Sequence, residues 1–119
     1  MTIWGTGTPL REFLHVDDLA QACIFLMTTW SAPDPINIGS GQEVTVAELA
    51  RLIAAIVGWT GRFVFDASKP DGTPRKLLDG SRLAALGWIA STPLHAGLAD
   101  AYRDFTARWE AGEFTVAAP

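Results

Sequence analysis

Residues 45–58 constrain this chain more than any other stretch. Thr45 is followed three residues later by Glu48. In that spacing a hydroxyl and a carboxylate each satisfy a backbone N–H at the start of a helix. Leu49, Leu52, Ile53, Ile56 and Val57 then fall on one face at a 3.6-residue period, and Gly58 supplies the stop. A helix with that stripe needs another layer to pack against. The chain has 119 residues, of which 49% are hydrophobic and 18% charged. That bounds it to one domain or part of one, with enough apolar side chains for a core.

The flanking segments read as short strands and further helices, so the expected class is α/β. Thr2-Ile3-Trp4 and Arg11 through Val16 are β-like runs on either side of Gly5-Thr6-Gly7-Thr8-Pro9, which predicts a β-hairpin. A helix follows, capped by Asp17 or Asp18, with a stripe of Leu19, Ala22, Cys23, Leu26 and Met27. Pro33 and Pro35 end it. Ile36-Asn37-Ile38 and Arg62 through Asp66 read as strands, and Ala67 to Lys76 as a polar loop. Asp79 or Ser81 caps a short helix ended by Gly87. Ser91 or Thr92 opens the last helix, with Pro93 in its first turn and a stripe of Leu94, Leu98, Ala101, Tyr102, Phe105 and Trp109. Residues 1–110 are expected to form one lobe, and 111–119 a flexible tail.

Several function classes drop out. A net charge of −4 argues against a nucleic-acid partner. No apolar run approaches the ~20 residues of a membrane span, and no secretory signal is visible, so a cytoplasmic setting is expected. Cys23 is the single cysteine, which excludes an internal disulfide and a multi-cysteine zinc site. Gly5-Thr6-Gly7 lacks the third glycine of a dinucleotide loop, since Leu10 occupies that position, and a strand follows it rather than a helix. Gly39-Ser40-Gly41 fails the same test at Val44. Tyr102 has Thr106 four residues on, so there is no Tyr-x-x-x-Lys pair. Cys23 reads as a small core residue, and His15 and His95 as structural or solvated. His15 with Asp17 and Asp18 reads as a strand end and a cap on different faces. No complete catalytic constellation is present, and no metal site is expected.

The positive charge is uneven. Five of nine Lys and Arg lie between positions 62 and 82: Arg62, Lys69, Arg75, Lys76 and Arg82. On a Pro/Gly loop such a cluster is either an anion pocket or a solvated surface. Arg11 sits beside Trp4 and Phe13. Its planar fork suits a diphosphate, or an ion pair with Glu12 or Asp18.

The run from Trp4 to Asp18 resembles the opening of the C-terminal region of GDP-L-fucose synthases, an extended short-chain dehydrogenase family. So do Ile36 to Gly41, Leu86-Gly87-Trp88 and the last helix. The narrowest match is Gly61 to Asp79, with Lys69-Pro70-Asp71-Gly72-Thr73-Pro74-Arg75-Lys76 at its centre. The resemblance implies a small C-terminal substrate-binding lobe without its Rossmann domain, made of a β-hairpin, short strands and about four helices. The family epimerises C3 and C5 of GDP-4-keto-6-deoxy-D-mannose and reduces C4 with NADPH. The resemblance places Trp4, Arg11, Arg62 and Lys76 around the GDP-sugar, with Asp71 and Pro74 shaping the loop. It maps no catalytic or cofactor-binding residue onto this chain; NADP(H) belongs to the parent enzyme and is not expected to bind here. The chain alone is expected to be inactive, to lack its N-terminal Rossmann partner lobe, and to self-associate through exposed apolar surface. The alternatives are a lobe of another nucleotide-sugar epimerase or dehydratase, and a non-catalytic nucleotide-sugar-binding or interaction module.

Overall fold

The computed structural model describes residues 1–114. The chain runs β1 (Thr2–Trp4), β2 (Leu10–Glu12), α1 (Val16–Thr29), β3 (Glu43–Thr45), α2 (Val46–Val57), β4 (Val64–Asp66), β5 (Arg75–Lys76), α3 (Ser81–Ala85) and α4 (Leu94–Glu110). Short strands and four helices bear out the α/β expectation.

The hairpin does not form. β1 pairs in parallel with β4, while β2 lies between antiparallel β3 and parallel β5 in a second sheet. Partners distant in sequence take the hydrogen bonds that a hairpin turn would keep to itself. Gly5 N–H donates to the Asp66 carbonyl at 2.9 Å, and Leu10 N–H to the Pro74 carbonyl at 2.9 Å. The Gly7 and Pro9 carbonyls accept from Ala47 and Val46 at the start of α2, at 2.9 and 3.0 Å. Gly5 and Gly7 both have positive φ, 83° and 76°. At Gly7 a Cβ would also strike the Phe65 ring, so no other residue fits that position without displacing it.

α2 forms as its sequence dictates. The Thr45 side chain accepts from Glu48 N–H at 3.1 Å, Glu48 accepts from Thr45 N–H at 2.8 Å, and Gly58 ends the helix at φ 71°. Hydrogen bonds from the Thr45 backbone, and then from its hydroxyl, hold the Glu48 carboxyl below its ordinary range.

α1 differs from expectation at its cap and its face. His15, not Asp17 or Asp18, is the N-cap, and its Nδ1 accepts from Asp17 N–H at 3.4 Å. Asp18 is buried, and it holds α4 instead. It accepts from the Ser91 hydroxyl at 3.0 Å and from Thr92 N–H at 2.9 Å. Burial alone would raise its pKa, but those bonds hold it below the ordinary carboxylate range. Ala22 is buried and Phe25 and Leu26 are half-buried, so the inward face follows from Asp18. Cys23, expected in the core, is exposed, as are Leu19 and Met27. Pro93 caps α4 from outside rather than joining its first turn.

Ile36-Asn37-Ile38 pairs with no strand; Asn37 instead donates its amide to the Asp79 carbonyl at 3.2 Å. Of the expected tail, residues 111–114 fold back on α4. Gly112 turns at φ 75°, Glu113 meets Arg108 at 2.7 Å, and the Phe114 ring lies 5.4 Å from Phe105. Residues 115–119 of that tail lie outside the described residues.

The core is thin. Among the described residues the fully buried apolar side chains are Ala22 and Leu83. The accessible surface is 8368 Å² at 12.8 kDa. A compact monomer of that mass exposes about 6,300 Å². The radius of gyration is 17.5 Å, against about 13.5 Å for a compact domain of this length. The chain therefore presents about 2,000 Å² more surface than its mass requires.

Candidate functional site

The three-stranded sheet has two faces of opposite electrostatic character. Residues alternate sides along a strand. Registers Leu10↔Thr45 and Leu10↔Arg75 put Leu10, Thr45 and Arg75 on one face, joined by Glu12 and Glu43. Registers Arg11↔Val44 and Arg11↔Lys76 put Arg11 and Lys76 on the other.

On the first face every charge is matched. Arg75 reaches across β2 to Glu43, with Nε at 2.8 Å and its outer nitrogen at 2.6 Å from the carboxylate. That pairing lowers the Glu43 pKa and raises that of Arg75. Glu12 accepts from Gly41 N–H at 2.6 Å and Leu78 N–H at 3.0 Å. It thereby ties the Gly39–Gly41 turn and the segment after β5 to the central strand.

On the second face Arg11 and Lys76 stand side by side on adjacent strands, which lie roughly 4.8 Å apart. Neither has a carboxylate within 4.0 Å among the described residues. The Arg11 guanidinium donates to the Leu10 carbonyl at 2.6 Å, which holds it against the central strand. Two like charges abreast are unfavourable unless an anion lies between them. Among the described residues Arg11 forms no ion pair with Glu12 or Asp18.

The loop from Asp66 to Lys76 joins this ledge to Trp4. Asp66 is the register partner of Trp4, and Lys76 that of Arg11. Midway, the Asp71 carboxylate accepts from Thr6 N–H at 2.6 Å and from the Thr6 hydroxyl at 2.8 Å. It latches the loop to the turn after Trp4. Gly72 passes beneath the Arg11 guanidinium, which lies 4.0 Å from where a Cβ would stand. Trp4 is 71% exposed, open to a flat ligand group.

Trp4, Arg11 and Lys76 thus border one loop. The main chain of Arg62 lies outside that loop. Its carbonyl accepts from the N-terminal amine at 2.9 Å, at the end of the β1–β4 pair opposite Trp4. Trp4 is opposite Asp66, four residues on, about 13 Å along the strand. Glu12 joins the candidate site by holding the Gly41 and Leu78 amides, and Asp71 gains Thr6 as its latch partner. Only the pairing of distant segments reveals them.

The glycine turns do not fit a dinucleotide. A Cβ at Gly39 would meet the Glu12 carboxylate, and the Gly41 amide that could face a phosphate already donates to that carboxylate. Neither turn leads directly into a helix. His15, Asp17 and Asp100 bring ligand atoms within 4.8 Å of one another. The two ring nitrogens of His15 face different carboxylates, Asp17 at 3.9 Å and Asp100 at 3.7 Å, and Arg103 already engages Asp100.

The fold is an α/β lobe similar to part of the extended short-chain dehydrogenases. The family profile described as "NAD dependent epimerase/dehydratase family" matches residues 1–39. The chain is 57% identical over 102 residues to GDP-L-fucose synthase 1 of Arabidopsis thaliana, covering 86% of this chain and 32% of that protein. It is 53% identical over 114 residues to the GDP-L-fucose synthase of Escherichia coli K12, covering 88% and 36%. The crystal structure of a GDP-L-fucose synthetase from Naegleria fowleri bound to NADP superposes with a TM-score of 0.85 at 27% identity, covering 92% of this chain and 35% of that one. The resemblance to GDP-L-fucose synthases is borne out. The chain spans about a third of the length of the curated relatives it matches. No helix among the described residues is long and apolar enough to cross a membrane.

Proposed function

We propose that this chain is the GDP-sugar-binding lobe of a GDP-L-fucose synthase, which epimerises C3 and C5 and reduces C4 of GDP-4-keto-6-deoxy-D-mannose with NADPH. The observation that carries the reading is the Arg11–Lys76 pair: two unmatched cations in register, beside a loop tied to an exposed tryptophan. A diphosphate between them would relieve their repulsion and take charge-assisted bonds from both. Trp4 offers its face to the base or the sugar. Arg62, from its position at the other end of the β1–β4 pair, would meet the substrate only through a part of it that extends well beyond the diphosphate.

Hydride chemistry is NADPH's part in the whole enzyme. The glycine turns here do not fit that cofactor, so the reduction draws nothing from them. We propose that the chain alone is inactive, and that its unmatched apolar surface packs against the rest of an enzyme or against another copy.

Thermal unfolding with added nucleotides tests the reading. GDP should raise the melting temperature and UDP should not. An equal response to both would move the chain to another nucleotide-sugar enzyme, and no response to either would sink the binding site. Turnover by the 119-residue chain with NADPH and the keto sugar would overturn the proposed inactivity.

A further inference from the structure

We propose that Lys69 is a third anion-binding residue of this site, which exchanges its contact with the Trp4 ring for a phosphate oxygen of the nucleoside diphosphate. The inference rests on the reading just given, but on separate observations.

The chain has two lysines, Lys69 and Lys76, and both lie on the loop that joins Trp4 to the Arg11 ledge. The Lys69 ammonium stands 5.7 Å from the centroid of the Trp4 ring. It has no carboxylate within 4.0 Å among the described residues, whereas Arg75, Arg103 and Arg108 are all paired.

Its backbone is anchored on both sides. Lys69 N–H donates to the Asp66 carbonyl at 3.1 Å, closing a turn. Asp66 also accepts from Ser68 N–H at 3.1 Å and from the Ser68 hydroxyl at 2.6 Å. Two residues on, the Asp71 latch to Thr6 fixes the other end. An ordinary surface lysine ranges widely; this one starts from a fixed Cα next to the aromatic wall. Gly72, against the Arg11 guanidinium, is three residues away, at most about 11 Å of chain. A flexible four-carbon stem bridges most of that span.

The energetic order favours the exchange. An exposed ammonium–aromatic contact is weaker than a charge-assisted bond to phosphate. Lys69 would therefore leave the ring as a diphosphate arrives, and the same movement would free that side of Trp4 for a planar group. The contact with the ring keeps the lysine close to its target and limits the rotamer freedom lost on binding.

The test is GDP affinity of the full chain by calorimetry at low and high salt, for wild type, Lys69→Met, Lys69→Arg and Arg11→Ala. Lys69→Met keeps the stem but removes the charge. It should weaken GDP binding about tenfold at low salt, with a smaller loss at high salt, because a screened charge counts for less. Lys69→Arg should restore most of the affinity. The proposal is overturned if Lys69→Met binds GDP within twofold of wild type while Arg11→Ala is weakened, which leaves the ledge standing without Lys69. A loss of equal size at both salts also overturns it, because Lys69 would then act by shaping Trp4 rather than by charge. If wild type itself does not bind GDP, this assignment falls together with the reading beneath it.

Discussion

Replacing Lys76 by methionine should raise stability and lower affinity together. The side chain lies beside Arg11 on the neighbouring strand, on the face of the sheet that carries no carboxylate partner. Long side chains splaying from strands ~4.8 Å apart put the two unit charges at a separation taken as roughly 7 Å, where they repel by about 0.6 kcal/mol in water. Removing one should stabilise the ligand-free chain by about that much, a rise of about 2–3 °C in melting temperature for a domain of this size. The same substitution removes one charge-assisted bond to the diphosphate, which weakens binding about tenfold or more. At GDP one hundredfold above the wild-type Kd, wild type gains about 2.7 kcal/mol, and a tenfold weaker variant about 1.4. The two melting curves should therefore change order. The variant melts higher without GDP, and wild type melts higher with it. Scanning fluorimetry across a GDP titration reads both effects. If Lys76→Met melts no higher than wild type without GDP and gains as much with it, the two cations are not poised for an anion and the argument fails.

Asp18→Ala strands the half-buried Thr92 N–H and the Ser91 hydroxyl, and should cost about 2 kcal/mol in urea unfolding. Asp18→Asn should cost about 1 kcal/mol, because the Ser91 hydroxyl can turn to accept; equal losses would refute the anchor. The Asp18 pKa is depressed in the fold, so its contribution is present above the unfolded value and lost as pH falls through the folded one. Unfolding free energy should therefore decline below about pH 4, and Asp18→Asn should flatten that decline. Thr45→Ala removes the hydroxyl of the reciprocal cap and should lower stability by about 1 kcal/mol. The excess surface of about 2,000 Å² should bind a hydrophobic dye and give concentration-dependent sedimentation; a strictly monomeric profile without dye binding would contradict it.

Local signals and long-range pairing divide this protein between them. The α2 helix was legible because its cap, stripe and stop lie within fourteen consecutive residues, 45–58, and all agree. The same holds for the glycine stop after α3. The loop sequence from Lys69 to Lys76 carries the family resemblance by itself. The strands were harder. A three-residue strand has almost no intrinsic preference, and its partner is chosen by what else can reach it. Thr2–Trp4 and Leu10–Glu12 look like a hairpin by proximity. They part because Asp66, Pro74 and the first residues of α2 offer better partners for the turn between them. The cap reading of Asp18 failed for a related reason: helix position alone cannot show that Ser91 and Thr92, more than seventy residues away, supply its donors.

The sequence by itself determined the kinds of side chain available: cations on a Pro/Gly loop, an arginine next to a tryptophan, and no reacting set. Only the tertiary structure decided which of those cations share a face. Strand register is set by hydrogen bonds between segments tens of residues apart, and a shift of one residue would turn Lys76 away from Arg11 and toward the face already neutralised by Glu43.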